Sequence, residues 1–203
     1  MNLKWCSLTL LLLLSGTAGF SEEPAGKDKS NILFTDIPQN RIQKWSQYGN
    51  LEAFFEESGK KNGIFYDKDG NPLTSSSPER SLISIDSQGK ITVLDDKYDY
   101  AHTNAPNDLW IVSNGGVYFI HAIFKSSDNK NDGNKYVYYL SPDRKKFIRV
   151  LDDMVNPDSL VGSPNGKYLI VSESDGTTIY MYTINKDGTL SDKQLFDPDE
   201  CGC

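Results

Sequence analysis

Four stretches of this chain read as pairs of short strands joined by a polar turn, and they recur at a nearly constant interval. They are 41–56 (RIQKWSQYGNLEAFFE), 81–94 (SLISIDSQGKITVL), 135–151 (KYVYYLSPDRKKFIRVL) and 179–196 (IYMYTINKDGTLSDKQLF). Ahead of the last three lies a second, more apolar hairpin, starting at Asn62 (NGIFYDKDGNPLTS), Asn107 (NDLWIVSNGGVYFI) and Asp158 (DSLVGSPNGKYLIV). In each of these a glycine falls eight residues after the polar starter, at Gly70, Gly115 and Gly166. The same ruler laid on the N-terminal stretch begins at Glu22. The starters are then spaced by 40, 45 and 51 residues. Apolar–polar alternation bounded by Gly, Asn, Asp and Ser turns marks strands, and no long segment with a 3.6-residue period competes. Units of four antiparallel strands repeating at about this interval predict an all-β chain folded as a β-propeller. A flat meander or a sandwich with coincidental spacing is the alternative.

The repeat does not extend to the first 19 residues. Lys4 followed by the apolar run Leu8 to Leu14 and the small residues Ser15 to Gly19 is the pattern of an export signal, with cleavage expected after Gly19. The apolar run is too short to span a bilayer, so no transmembrane anchor is expected in the mature chain. The remaining 184 residues divide into four units of 46 residues, one propeller domain over 20–203. A secreted or periplasmic location follows from the signal. The charge balance, 21 Lys+Arg against 28 Asp+Glu, gives −7. That sign disfavours nucleic acid and anionic membrane surfaces, and leaves cations and neutral small molecules as partners. Cys201 and Cys203 are too close for an unstrained disulfide and too few for a metal centre.

In a propeller the innermost strand of each blade lines the central channel, so equivalent positions on successive blades converge. Glu22, Asn107 and Asp158 would bring two carboxylates and an amide oxygen together, a donor set suited to a hard cation. The alternative is that each starter only caps its own strand by bonding nearby backbone amides.

At these residues the sequence resembles the senescence marker protein/gluconolactonase (regucalcin-like) family of six-bladed propellers. The pieces that carry the resemblance are FTDIPQNRI (Phe34 to Ile42), SGKKNGIFYDKDG (Ser58 to Gly70), TNAPNDLWIVSNGGVYF (Thr103 to Phe119) and the closing IYMYTINKDGTLSDKQLF. The resemblance implies lactone hydrolysis, in some branches organophosphate hydrolysis, with one divalent cation in the channel: Ca²⁺ first, Zn²⁺ or Mg²⁺ as the other candidates. It implies metal ligation by Glu22 (Glu22-Glu23-Pro24 for the family's Glu-Gly-Pro), Asn107 (Pro106-Asn107-Asp108) and Asp158 (Pro157-Asp158-Ser159 for Pro-Asn-Gly). It also implies substrate contacts from His102, where the family prefers Arg, from Asn104, and from His121, where it prefers Asp. Thr74-Ser75 replaces the usual Cys-Glu. The Asp of the family's Asp-Gly-Met, both metal ligand and general base or nucleophile, is expected beyond Cys203, so no catalytic residue is assigned within the chain. The expected fold is accordingly an incomplete arc of about four four-stranded blades.

Two functional expectations follow. The first is an exported, metal-dependent hydrolase that opens a sugar lactone by attack of water. The second is a non-catalytic propeller binding a sugar or protein partner. Other local patterns carry no chemistry. Asp67-Lys68-Asp69-Gly70 lacks the calcium-loop spacing, and Gly115-Gly116 is a turn with no helix behind it to cradle a phosphate. The polar run Lys125 to Lys135 is expected to be a loop within the third blade.

Overall fold

The computed structural model of the protein describes residues 20–22, 31–46, 48–56, 63–76, 81–94, 106–122, 135–174 and 178–196. The expected signal segment 1–19, His102, Asn104, Cys201 and Cys203 lie outside the described residues. Among the described residues sixteen strands form four antiparallel sheets, each built from one continuous stretch of chain in sequence order. The first holds β1 (Phe20–Glu22), β2 (Asn31–Asp36), β3 (Arg41–Ser46) and β4 (Leu51–Phe55). The second holds β5 (Ile64–Tyr66), β6 (Pro72–Ser76), β7 (Ser81–Ile85) and β8 (Ile91–Val93). The third holds β9 (Pro106–Ile111), β10 (Val117–Ala122), β11 (Lys135–Leu140) and β12 (Phe147–Leu151). The fourth holds β13 (Pro157–Gly162), β14 (Tyr168–Glu173), β15 (Ile179–Ile184) and β16 (Leu190–Leu195).

The expected hairpins 41–56, 81–94, 135–151 and 179–196 are the outer strand pairs of the four sheets. The spaced glycines also do what their interval implied. Gly70, Gly115 and Gly166 take positive φ, and each donates its N–H to the carbonyl three residues back, at Asp67, Val112 and Ser163. A left-handed residue closing a tight inner hairpin favours glycine because a Cβ there meets the backbone.

The sheets pack face to face through three apolar layers, and the third sheet shows why. Along β10 the side chains alternate between two cores. Val117 and Phe119 join Leu73 and Leu82 of the second sheet, while Tyr118 and Ile120 join Leu160, Leu169 and Val171 of the fourth. β9 and the residue that follows it divide the same way, Leu109 and Ile111 to one side, Trp110 and Val112 to the other. A strand covered on both faces must be apolar at every position, so this blade reads as a near-continuous apolar run. A third layer, with Leu33, Ile42, Ile64 and Ile83, joins the first and second sheets. The innermost strands follow one another round the arc, β1 beside β5, β5 beside β9 and β9 beside β13. Blades stacked in this radial order are the propeller arrangement.

Two polar ties set the spacing of the inner strands. Gly63, just before β5, donates its N–H to the carbonyl of Asn107 at 2.8 Å. On the opposite side Asp108 Oδ2 accepts from the Ser159 hydroxyl at 2.7 Å and from the Leu160 N–H at 2.9 Å. Its other oxygen accepts from the Leu109 N–H at 2.9 Å. One dipeptide on β9 therefore binds both neighbouring blades.

Replacing Asp108 by Ala would leave the Leu160 N–H and Ser159 hydroxyl without their acceptor in the seam. We expect a loss of about 2–3 kcal/mol in urea unfolding; a loss below about 0.5 kcal/mol would show that the tie is dispensable. A Cβ on Gly63 would meet backbone atoms, Asp108 Cα at 2.9 Å and Leu109 N at 3.0 Å. Neither can rotate away, so Gly63→Ala should cost about 1–3 kcal/mol by forcing β5 off β9. Unchanged thermal unfolding would refute that close approach.

Candidate metal and substrate site at the β9–β13 seam

Two inner strands open with the same element, a proline followed by a polar residue. Pro106 and Pro157 are the first residues of β9 and β13, where a missing N–H interrupts no ladder. Asn107 and Asp158 follow as the second residues, and the adjacency of β9 and β13 brings them side by side. The Asn107 Nδ2 amide donates to Asp158 Oδ1 and to the Asp158 carbonyl oxygen, each at 3.1 Å. Both are partly buried. They meet although 51 residues separate them in sequence.

Asp158 has a second partner. Lys135 Nζ donates to the same Oδ1 at 3.1 Å. The Lys135 side chain is only 20% exposed, against 41% for Asp158, so the ammonium lies on the protein side of the pair. Lys135, the last residue of the polar run and the first of the expected hairpin 135–151, is the first residue of β11, paired with Ala122. The segment before it, 123–134, lies between β10 and β11 and outside the described residues.

Next along β9, the Asp108 carboxyl is turned into the seam. Burial pushes its pKa up from the ordinary value; the Leu160 N–H, the Ser159 hydroxyl and the Leu109 N–H oppose that rise, and the nearby Asp158 charge adds to it. Asp108 thus acts as an acceptor that holds β13 in place, and its neighbour Asn107 presents the amide.

The other expected residues are placed as follows. Glu22 is the last residue of β1, paired with Ile32 beside the hairpin connection, whereas Asn107 and Asp158 stand at the beginnings of their strands. Its side chain lies outside the described residues. His121 lies on β10, 6% exposed, between Pro106 on β9 and Tyr136 on β11. Its ring meets Tyr138 edge-on at 5.8 Å, and Tyr138 belongs to the core shared with the second sheet. His121 therefore shares a layer with Tyr138, while Asp158 belongs to the next blade round the arc. Thr74 and Ser75 are fully buried on β6, and the Thr74 hydroxyl donates to the Gly63 carbonyl at 2.7 Å.

Among the described residues no group of three or more His, Cys, Asp and Glu side chains gathers to hold a metal. The pair at the seam nevertheless fits a hard cation. The Asn107 amide oxygen and the Asp158 carboxylate are hard oxygen donors of the kind such a cation takes. Two residues of the seam escaped sequence reasoning. Asp108 carried a signal, since Ser159 lies in the matching triplet of the next repeat. Lys135 also carried one, because it continues the alternation Val137, Tyr139 that faces the fourth sheet.

A gluconolactonase from Zymomonas mobilis subsp. mobilis is 26% identical over 209 residues, which cover 92% of this chain and 58% of that protein. The chain thus spans less than two thirds of that relative's length. A solved structure of a gluconolactonase from Xanthomonas campestris superposes with a TM-score of 0.74 at 23% identity, over 88% of this chain and 62% of the other. The calcium-binding protein regucalcin from Agrobacterium tumefaciens superposes with a TM-score of 0.66 at 15% identity, over 88% and 58%. At such identities the likeness carries the fold, a propeller of the gluconolactonase and regucalcin type, of which this chain supplies four blades. Residues 23–200, the stretch that holds the repeats and the β9–β13 seam, match the SMP-30/Gluconolactonase/LRE-like region, and the chain belongs to that family.

Proposed function

We propose that the β9–β13 end of the channel serves a metal-dependent hydrolase that opens a sugar lactone, in a protein exported by its N-terminal segment. The observation that carries this reading is the meeting of Asn107 and Asp158, two oxygen-bearing side chains from successive blades, at the channel strands. Family membership supports it, as does the name gluconolactonase borne by the relatives from Zymomonas and Xanthomonas. The net charge of −7 and the absence of a basic patch in the motifs suit a cation and a neutral sugar ring better than an anionic polymer.

Asn107 and Asp158 would hold the cation, with Glu22 as the third ligand, and His102, Asn104 and His121 would contact the substrate. A divalent cation there supplies a Lewis acid that polarises the lactone carbonyl. The Asn107 amide is oriented by its two bonds to Asp158, which fixes where its own oxygen points. Asp108 keeps β13 from sliding along β9, so both donors keep their separation. In the overall reaction water adds to the carbonyl carbon, the ring C–O bond breaks, and the product is the open hydroxy acid.

A second reading, a propeller that binds a sugar or protein partner without turnover, is favoured by one observation. The Lys135 ammonium already satisfies Asp158 Oδ1.

Hydrolysis of glucono-δ-lactone by the product of the complete reading frame separates the two. We expect turnover that EDTA abolishes and Ca²⁺, Zn²⁺ or Mg²⁺ restores, with Asp158→Ala reducing kcat/KM by at least about 100-fold, or roughly 2.7 kcal/mol. Binding of the lactone with no turnover under any of the three metals would establish the second reading.

A further inference from the structure

We propose that Lys135 is an internal counter-cation of Asp158 that sets how tightly this end of the channel takes a divalent cation. The inference rests on the reading of Asn107 and Asp158 as cation-holding residues. It starts from the convergence of two donors on one oxygen, with Lys135 Nζ and Asn107 Nδ2 both 3.1 Å from Asp158 Oδ1. Lys135 opens β11, where Val137 and Tyr139 point to the core shared with the fourth sheet. The two-residue period puts Lys135 on that same face, directly toward Asp158. Its side chain is four-fifths covered, so the stem is packed and the head is delivered to the carboxylate. Among the described residues Lys135 makes no other ion pair.

An ammonium at this place competes with a metal in two ways. It occupies the carboxylate oxygen that a cation would use, and it places a like charge beside any cation that binds the remaining oxygen. Affinity for Ca²⁺ rises with the net negative charge of the ligand set. A pair of Asp158 and Lys135 contributes none, whereas Asp158 alone contributes one unit. A lysine suits this role because its ammonium is a compact charge on a flexible stem, able to withdraw when a divalent ion arrives. The expected consequence is a weak site, with a dissociation constant for Ca²⁺ of about 10⁻⁴–10⁻³ M, the range of extracellular calcium modules. Such a site fills in calcium-rich surroundings outside the cell and stays on its own lysine elsewhere.

The test is calorimetric titration of the product of the complete reading frame with CaCl₂ alone, for the wild type, Lys135→Met, Lys135→Arg and Asp158→Ala. Methionine keeps the apolar stem and removes the charge; arginine keeps the charge. Lys135→Met should bind Ca²⁺ roughly three- to tenfold more tightly than the wild type. Lys135→Arg should stay within about twofold of it, and Asp158→Ala should lose the binding. Thermal unfolding gives a readout independent of activity. In EDTA, Lys135→Met should melt below the wild type, because Asp158 has lost its cationic partner, and millimolar Ca²⁺ should close that gap. Equal Ca²⁺ affinity in the wild type and Lys135→Met would overturn the proposal while leaving the cation reading in place. Equal tightening by Met and Arg would overturn it too, by tracing the effect to packing. No Ca²⁺ binding by any of the four proteins would overturn both the lysine proposal and the cation reading.

Discussion

The carboxylate of Asp108 is the constraint on which the rest of the channel depends. Among the described residues neighbouring blades share no strand-to-strand ladder of the kind that holds each sheet together. Side-chain packing joins them, and packing alone fixes a distance better than it fixes a register. Asp108 supplies the register, because a carboxylate that accepts from a backbone N–H and a hydroxyl admits only one alignment of β9 against β13. Hydrogen bonds to a carboxylate are stronger than neutral ones, and here they offset part of the cost of bringing it out of water. Gly63 does the corresponding work on the other flank, where only a residue without a side chain allows β5 to approach the backbone of β9. Asn107 immediately precedes Asp108, and Asp158 immediately precedes Ser159. The residues that align the blades and the residues offered to a ligand are therefore neighbours on the same two strands.

Much of this was legible before the structure. The eight-residue interval from polar starter to glycine located the inner hairpins, because a tight turn restricts which residue can close it. The polar starters Asn107 and Asp158 marked where the inner hairpins of the third and fourth units begin, and those hairpins read as more apolar than the outer ones. What escaped was set by partners in other sheets. Lys135 ends a polar run and opens the expected hairpin 135–151, but nothing local in either signals that Asp158 of the fourth sheet lies opposite it. Asp108 looked like a companion of Asn107 in a recognised triplet, and its bond to a hydroxyl 51 residues away has no local signature. Glu22 illustrates the converse. A ruler of eight residues assumes equal hairpins, while β1 joins β2 through the longer connection 23–30 and so places Glu22 at the other end of its strand.

Charge distribution within the seam follows one theme. Asp158 lies close enough to Asp108 for its charge to be felt there, and the chain gives the two carboxylates different partners. Asp108 is met by neutral donors fixed in the backbone and by a serine, which leaves it structural. Asp158 is met by a lysine and an amide, both carried on side chains that can move. The same acidic residue type thus has fixed partners in one case and movable partners in the other, and the distinction rests on whether its donors can leave.

Each sheet is assembled from one uninterrupted stretch of chain, with no strand lent to a neighbour. Every hairpin in it pairs residues close in sequence, so a blade's internal ladder needs little loop-closure entropy to form. The contact between Asn107 and Asp158 is of another kind, since it exists only when two finished blades are docked. Undocking the fourth blade would dismantle the proposed site while leaving most backbone pairing intact. Loss of function and loss of secondary structure are therefore separable events in this protein, and the first can occur well before a spectroscopic probe of β-structure registers any change.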